Sequence, residues 1–350
     1  MAATPGDFPL VTTGEVFASH FEPHFSGDAV CIPLISATGH GHASLKRLHH
    51  ITGDFAVGSI LCACLNRKPD RVMGRYAYYY LSACKDSVLI PLMQGTANMS
   101  MKVADIAGVA LPLPSHDEQR AIVVRLDALA AKTRDVEAHL DAVERDAEHL
   151  LALRFREVIV NAPLRPMAEV APLVRREVSI DPEKTYTELG VRSFYKGTFH
   201  RRNVPGSDFS WQDLYRIQAG DLVFSNIMAW EQAIAVAKAE DDGCVGNHRM
   251  LTCESLPDIA VPGFFWFYFT TEEGFAKIYA ASPGTAARNR TMTAPALMAI
   301  EVPVPPLAAQ RTFDRLQASV AALKARHAAI RQANAALIPA TLERIFAGSP

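Results

Sequence analysis

Four histidines crowd one stretch of this chain: His40 and His42 within Gly39-His40-Gly41-His42, then His49 and His50, with Cys62 and Cys64 a little further on. Imidazole and thiolate are the commonest zinc ligands, but no spacing here matches a zinc pattern and no carboxylate follows at helical distance. The Gly39–His42 run reads as a small-residue turn, and the six cysteines, scattered without framework spacing, read as reduced thiols. Ser225 and Ser282 lack a nucleophile-elbow context. A phosphate loop is absent, and so is the Asn/Asp-Pro-Pro-aromatic motif of amino-methyltransferases, since Pro305-Pro306 is followed by Leu307 with no acid or amide before it. The expectation is no metal, no cofactor and no complete catalytic constellation; a hydrolase using the histidine-rich loop is the enzyme alternative.

The denser chemistry is cationic. Lys196, His200, Arg201, Arg202 and Asn203 follow Gly197, and Arg288-Asn289-Arg290 follows a Gly-Thr turn. In the first part of the chain Lys46, Arg47, Asn66, Arg67, Lys68 and Arg71 are the basic and amide candidates. Arginine and lysine read guanine edges, asparagine reads adenine, and all of them bind phosphate, so the sets suit DNA; solvated turns and salt-bridged loops are the competing account. The net charge of −2 is awkward for DNA binding, unless another subunit supplies much of the phosphate contact.

These residues sit in a chain that repeats itself. Gly95-Thr96, Ile106, Val109-Ala110-Leu111-Pro112-Leu113-Pro114, Gln119-Arg120, Leu151 and Phe155 return as Gly284-Thr285, Leu297, Ile300-Glu301-Val302-Pro303-Val304-Pro305, Gln310-Arg311, Leu342 and Phe346, at an offset of 191 (346 − 155). Upstream the match is fainter: Arg75–Leu81 lies on Gly263–Phe269, and Gly58–Ala63 can be laid on Gly220–Ser225. So long a period is no solenoid; it fits a duplicated domain-plus-helix unit, able to hold a pseudo-twofold axis and to contact a pseudo-twofold partner, of which DNA is the commonest.

After Pro114, Ser115 is a candidate N-cap with Glu118 three residues on, a capping box that opens a long helix. Ile122, Leu126, Leu129, Thr133, Val136, Leu140, Val143, Ala147 and Leu150 then alternate steps of four and three, as do Phe313, Leu316, Val320, Leu323, His327, Ile330, Asn334, Leu337 and Thr341 in the second copy. Each helix covers about 60 Å, and two seams of equal length pair most simply with each other. Thr133, His327 and Asn334 either fix the register of the seam or sit at partly solvated positions; Pro339 predicts a kink or an end near Ile338. Between the helices, short strand-like runs and turns make a mixed α/β domain, and the first 114 residues look like a shorter version of it. At 350 residues and 49% hydrophobic the chain can fill roughly two domains. No signal peptide or membrane-length apolar run is evident, so a cytoplasmic location is expected.

Taken in order, these motifs resemble the specificity subunit of Type I restriction-modification systems over nearly the whole chain. Members carry two target-recognition domains, each followed by a long helix introduced by a Pro-x-Pro stretch and a Glu-Gln or similar pair, as in Leu111–Arg120. Gly190–Phe194, Gly220–Asn226, Ala229-Trp230-Glu231, Asn247-His248-Arg249 and Arg288–Thr291 are similar to the string found in one branch of these domains. The first domain is about 30 residues shorter, without a counterpart to Trp230 or the Arg-Asn-Arg-Thr segment, and the second copy has Ala309 where the first has Glu118.

The resemblance implies an α/β (α+β) fold: recognition domains at 1–114 and 161–306, separated by antiparallel coiled-coil helices at 115–160 and 307–347. It implies a non-catalytic subunit, reading one half of a bipartite gapped double-stranded DNA site with each domain. The helices would set the spacer and dock methyltransferase subunits, two of them, with restriction/translocase subunits as further partners. Asn226, Trp230, Asn247 and Arg249 join the DNA candidates, with core packing an equal reading for Trp230. Glu118, Gln119 and Gln310 fall where partner contacts would lie. A helical scaffold that recruits enzymes without base-specific readout is the other reading.

Overall fold

The computed structural model describes residues 5–38, 42–96, 98–209, 213–284 and 290–346. It divides into two compact units, Met1–Ala142 with Arg326–Pro350 and Val143–Ala325. Both boundaries fall inside long helices, so each helix gives one part to each unit.

The first unit carries β1 (Phe8–Val11), β2 (Ala18–His20), β3 (Phe25–Ser26), β4 (Ala29–Pro33), β5 (His49–Ile51), β6 (Asp54–Val57), β7 (Leu61–Leu65), α1 (Gly74–Val88), α2 (Val103–Ala107) and the start of α3 (His116–Ile159). Its strands form two sheets, in the orders β2-β1-β6-β3 and β5-β4-β7. β4 is central and buried along its length because its alternate side chains serve two cores. Val30 and Ile32 meet Leu45, Leu48, Leu89 and Met101 on one face, while Ala29 and Cys31 meet Val11, Phe55 and Leu61 on the other.

The second unit adds β8 (Leu164–Pro166) and α4 (Met167–Val170), followed by β9 (Thr185–Val191), β10 (Thr198–Pro205), β11 (Tyr215–Arg216), β12 (Leu222–Ser225), β13 (Ile234–Val236), β14 (Val245–Gly246) and β15 (Met250–Cys253). Then come α5 (Pro262–Thr270), α6 (Glu272–Ala280), α7 (Ala294–Met298), β16 (Glu301–Pro303) and the start of α8 (Leu307–Phe346). The sheet orders β10-β9-β14-β11 and β13-β12-β15 reproduce those of the first unit strand for strand; β16-β8 is a further two-stranded sheet. Even the mixed pairing recurs, with β1 antiparallel to β2 and parallel to β6, as β9 is to β10 and β14.

This topology corrects the upstream match made from sequence. The counterpart of Gly220-Asp221-β12 is Gly27-Asp28-β4, not the stretch from Gly58, and β7 corresponds to β15. Both central strands are entered through a glycine with positive φ, +127° at Gly27 and +91° at Gly220, which a side chain would strain. An apolar run looks the same in a central strand as in an edge strand, so pattern alone chose the wrong partner.

The helix starts agree with expectation. Ser115 N and Oγ both donate to Glu118 Oε2, at 2.8 and 2.7 Å, and Ser115 Oγ accepts from Glu118 N at 3.3 Å, a complete capping box. The seams agree only in part. Leu126, Thr133, Leu140 and Ala147, like Phe313, Val320, His327 and Asn334, face inward, but the second set of each heptad is shifted one residue, to Val123, Glu137, Glu144 and Leu151 and to Gln317, Lys324, Arg331 and Ile338. Val136, Leu150, Ile330 and Leu337 are correspondingly exposed. Within the first unit Asn334 Nδ2 donates to the Thr133 carbonyl at 3.0 Å and to Glu137 Oε1 at 2.8 Å, a pairing that fixes register, and Arg331 pairs with Glu137 and Asp141. α8 does not end near Ile338: it runs through Pro339, because Ile338, Leu342 and Phe346 pack against the aromatic face of α1.

Candidate nucleic-acid interface

Three loops of the second unit gather at one end of its two sheets. The β9–β10 turn leans on the β12–β13 connection, with Phe194 N donating to the Glu231 carbonyl, Tyr195 N to that of Gln232, and Ser193 Oγ to Glu231 Oε2 at 2.7 Å. Phe194 and Tyr195 are held at φ of 61° and 54°, a costly conformation that these contacts and the bond from Tyr195 OH to the Phe269 carbonyl at 2.6 Å maintain. The result is a braced hairpin tip that exposes Phe194, with Lys196 Nζ 5.7 Å from its ring centroid. The β14–β15 turn joins the group through Asn226 N, which donates to the Arg249 carbonyl at 2.8 Å.

Between these loops opens a cleft of about 290 Å³, lined among others by Glu188, Arg201, Ser225, Asn247 and Arg249. Two devices build it. The β9–β10 pairing shifts register between His200 and Arg202, so Arg201 is the bulged residue and its side chain is re-aimed into the cleft. A Cβ on Gly190 would come within 2.5 Å of the Phe199 ring, so glycine lets that ring cover the strand. Asn247 Oδ1 accepts from Arg249 N at 2.9 Å and fixes the turn that presents Arg249. Neither the Arg201 nor the Arg249 guanidinium is hydrogen-bonded or ion-paired among the described residues, and both are exposed. Donors from two arginines and an amide, beside the buried carboxylate of Glu188, suit base edges and phosphate.

Other predicted residues are spent inside the unit. Arg202 Nε donates to Glu188 Oε2 at 2.7 Å, and that carboxylate raises the Arg202 pKa. His200 lies 3.2 Å from buried Asp241, and Asn203 Oδ1 accepts from Thr187. Trp230 is half-buried, its indole N–H donating to the Ile227 carbonyl at 2.8 Å. Arg290 stacks 3.9 Å from the Tyr279 ring centroid and donates to the Ser282 carbonyl. Arg288 and Asn289 lie outside the described residues. Glu188, which sits in a strand, was not anticipated, and Phe194 was marked only as part of the Gly190–Phe194 string, because its exposure depends on backbone angles that no spacing reveals.

In the first unit the same three loops come together, but only part of the predicted basic set belongs to them. Leu34 N donates to the Ile60 carbonyl as Asn226 N does to that of Arg249. Lys46 and Arg47 lie on the long β4–β5 connection of this end, where Arg47 pairs with Glu15 of the β1–β2 turn at 3.3 Å. Asn66, Arg67, Lys68 and Arg71 follow the other end of β7, about 17 Å away at the rise of a five-residue strand. Asn66 does not face a ligand: its amide donates to Asp28 Oδ2 and the Val72 carbonyl and accepts from Lys68 N.

The histidines separate. His50 Nε2 is 2.7 Å from Asp28 Oδ1, and His49 stacks edge-on to Phe17 at 5.1 Å. Burial, then neighbouring Arg47, lowers the His49 pKa. His40 lies outside the described residues. Burial pushes the Cys31 thiol up to about 12.

Gln119 and Gln310 are fully buried and make the same three bonds. Gln119 Oε1 accepts from Met73 N at 2.9 Å, and its Nε2 donates to the Arg71 and Pro114 carbonyls, both at 3.0 Å. Gln310 Oε1 accepts from Val261 N at 2.9 Å, and its Nε2 donates to the Ile259 and Pro305 carbonyls at 2.9 and 2.8 Å. Each amide ties a long helix to the segment before an aromatic helix, so neither is presented to a partner; Glu118 is exposed and engaged by Ser115.

No family model and no curated protein matches the chain. Solved structures do. The chain is similar to the HsdS subunit from Thermoanaerobacter tengcongensis at 19% identity and a TM-score of 0.54, over 94% of this chain and 82% of that one. It is also similar, at 17% identity and a TM-score of 0.59, over 98% and 92% of the two chains, to a chain from a structure described as underlying complex assembly and conformational transition of the type I R-M system. The fold is that of these proteins.

Proposed function

We propose that this chain is the DNA-specificity subunit of a Type I restriction-modification complex. The observation that carries the reading is the cleft of the second unit, where Arg201 and Arg249 stand unpaired among the described residues beside Asn247, in a chain whose fold matches an HsdS subunit along most of its length. Each recognition domain, 1–114 and 161–306, reads one half of a bipartite site. The helices set the gap and dock two methyltransferase subunits, with restriction/translocase subunits binding the assembled complex. The chain itself makes no bond and works in the cytoplasm; no helix among the described residues is long and apolar enough to cross a membrane.

Partners also resolve the charge question. With a net charge of −2 the chain needs other subunits to neutralise phosphates, which leaves it the base edges. Long-read mapping of N6-methyladenine, with and without the gene, tests the reading. Loss of one gapped two-part motif is the expected result; an unchanged methylome in a host whose partner methyltransferase is active rejects it.

A further inference from the structure

The cleft of the second unit holds an acid among its arginines. Glu188 lies within β9, opposite Arg202 of β10 on one side and Val245 of β14 on the other, and its side chain is only 7% exposed. Burying a carboxylate is costly unless its charge is matched and its oxygens are hydrogen-bonded. Arg202 meets half of that need: its Nε donates to Oε2 at 2.7 Å, while Oε1 accepts no bond among the described residues. Glu188 lines the cleft with Arg201, Asn247 and Arg249, so an unused acceptor stands there among donors. The shared framework does not demand it, because β1, which holds the place of β9 in the first unit, reads Phe-Pro-Leu-Val and carries no acid.

We propose that Glu188 is a specificity-determining residue of the DNA site, its Oε1 accepting from the exocyclic amine of one adenine or cytosine in the major groove. This role rests on the function proposed above and adds the base chemistry that the cleft selects. A phosphate brought beside the carboxylate meets like charge, whereas a base edge can offer it a donor. In the major groove the donors are adenine N6 and cytosine N4; guanine O6 and thymine O4 put acceptors at the same points. A guanine or thymine there sets oxygen against oxygen, so the carboxylate rejects the wrong base as well as binding the right one. Arg201 and Arg249 are left for neighbouring guanine edges or phosphates.

Glu188→Gln turns this acceptor into a donor at nearly constant shape. The Arg202 Nε–H keeps the amide oxygen, which directs the amide NH2 into the cleft. The assembled complex, its site known from the methylome, is titrated with duplexes in which each base pair of both half-sites is varied. The expected result is a single transition, adenine to guanine or cytosine to thymine on the strand that is read, at one position of one half-site. Wild type binds the changed duplex about tenfold or more weaker, and Glu188→Gln reverses that order. Replacing the same adenine by purine, or the same cytosine by pyrimidin-2-one, deletes only the amine and weakens the wild-type complex as much, a measurement that needs no variant to fold. A bipartite preference that Glu188→Gln leaves unchanged overturns the proposal, as does a wild-type complex indifferent to every amine deletion; in both cases the specificity function stands. A complex without any sequence preference removes both.

Discussion

The junction of three loops is built from the same bonds in both units. Leu34 N donates to the Ile60 carbonyl and Met101 N to that of Leu34; Asn226 N donates to the Arg249 carbonyl and Met292 N to that of Asn226. Met101 and Met292 are alike, but the side chains at the other two matched positions differ: leucine and isoleucine in one unit, asparagine and arginine in the other. Main-chain bonds are indifferent to side chains, so the framework persists while the surface it presents changes. Among the described residues the second unit presents two unpaired arginines, whereas the first presents Arg47 neutralised by Glu15. On the proposed function, the two half-sites are read by different chemistry on one scaffold.

The sharpest test of shared framework is at the helix ends. Phe155 packs against Phe264, Phe267, Tyr268 and Phe313, and Phe346 against Tyr76 and Tyr80. Phe155→Ala should cost about 3–5 kcal/mol, with Phe346→Ala at the low end of that range, read from urea unfolding; a larger loss at Phe346 would break the correspondence. Gln119→Ala and Gln310→Ala each remove three hydrogen bonds to backbone groups and should each cost roughly 3 kcal/mol, equally in both units. A difference greater than about 1 kcal/mol would mean that only one glutamine clamps its domain.

The functional contrast is tested at the loops. Arg249→Ala and Arg201→Ala should each weaken DNA binding by the assembled complex by about 1–3 kcal/mol, roughly five- to 150-fold, and relax one half of the methylated motif. Lys46→Ala should weaken binding without changing the motif, as a phosphate contact does. At the helix starts, Ser115→Ala should cost about 1 kcal/mol of stability by differential scanning calorimetry. The matching Pro306→Ala, where no side-chain oxygen exists to be lost, should cost less.

The smallest expected effect is a pH dependence confined to the first unit. His49 is buried with its Nε2 unpartnered among the described residues, and its pKa lies below the usual 6.5 through burial and the nearby Arg47. The unfolded chain takes up the proton first, so stability is full above 6.5 and falls as pH drops through that value toward the lowered folded one. His49→Phe should flatten this slope; an unchanged slope would place the sensitivity elsewhere.

Much of the architecture was legible in the residues. The 191-residue offset, the capping box at Ser115 and the existence of both long helices follow from local spacing, and Gln119 and Gln310 were singled out by position though not by role. The cationic cluster after Gly197 was legible as a cluster, but two of its members were not free. Arg202 faces Glu188 because β10 pairs with β9, 14 positions away, and His200 faces Asp241 because the short helical turn before β14 packs against β10 from 41 positions away.

Short-range patterns along the chain encode duplicated order and helix starts. The rest depends on distant contacts and on small rotations. One residue on a helix turns a side chain by about 100°, enough to move the second seam set from Val136 to Glu137 and from Ile330 to Arg331. In the same way, one bulge in β10 separates Arg201 in the cleft from Arg202 in an ion pair, and the strand that follows Asp28 rather than the one that follows Gly58 occupies the centre of its sheet. Those outcomes belong to packing, where the burial of many side chains at once outweighs the preference of any single segment.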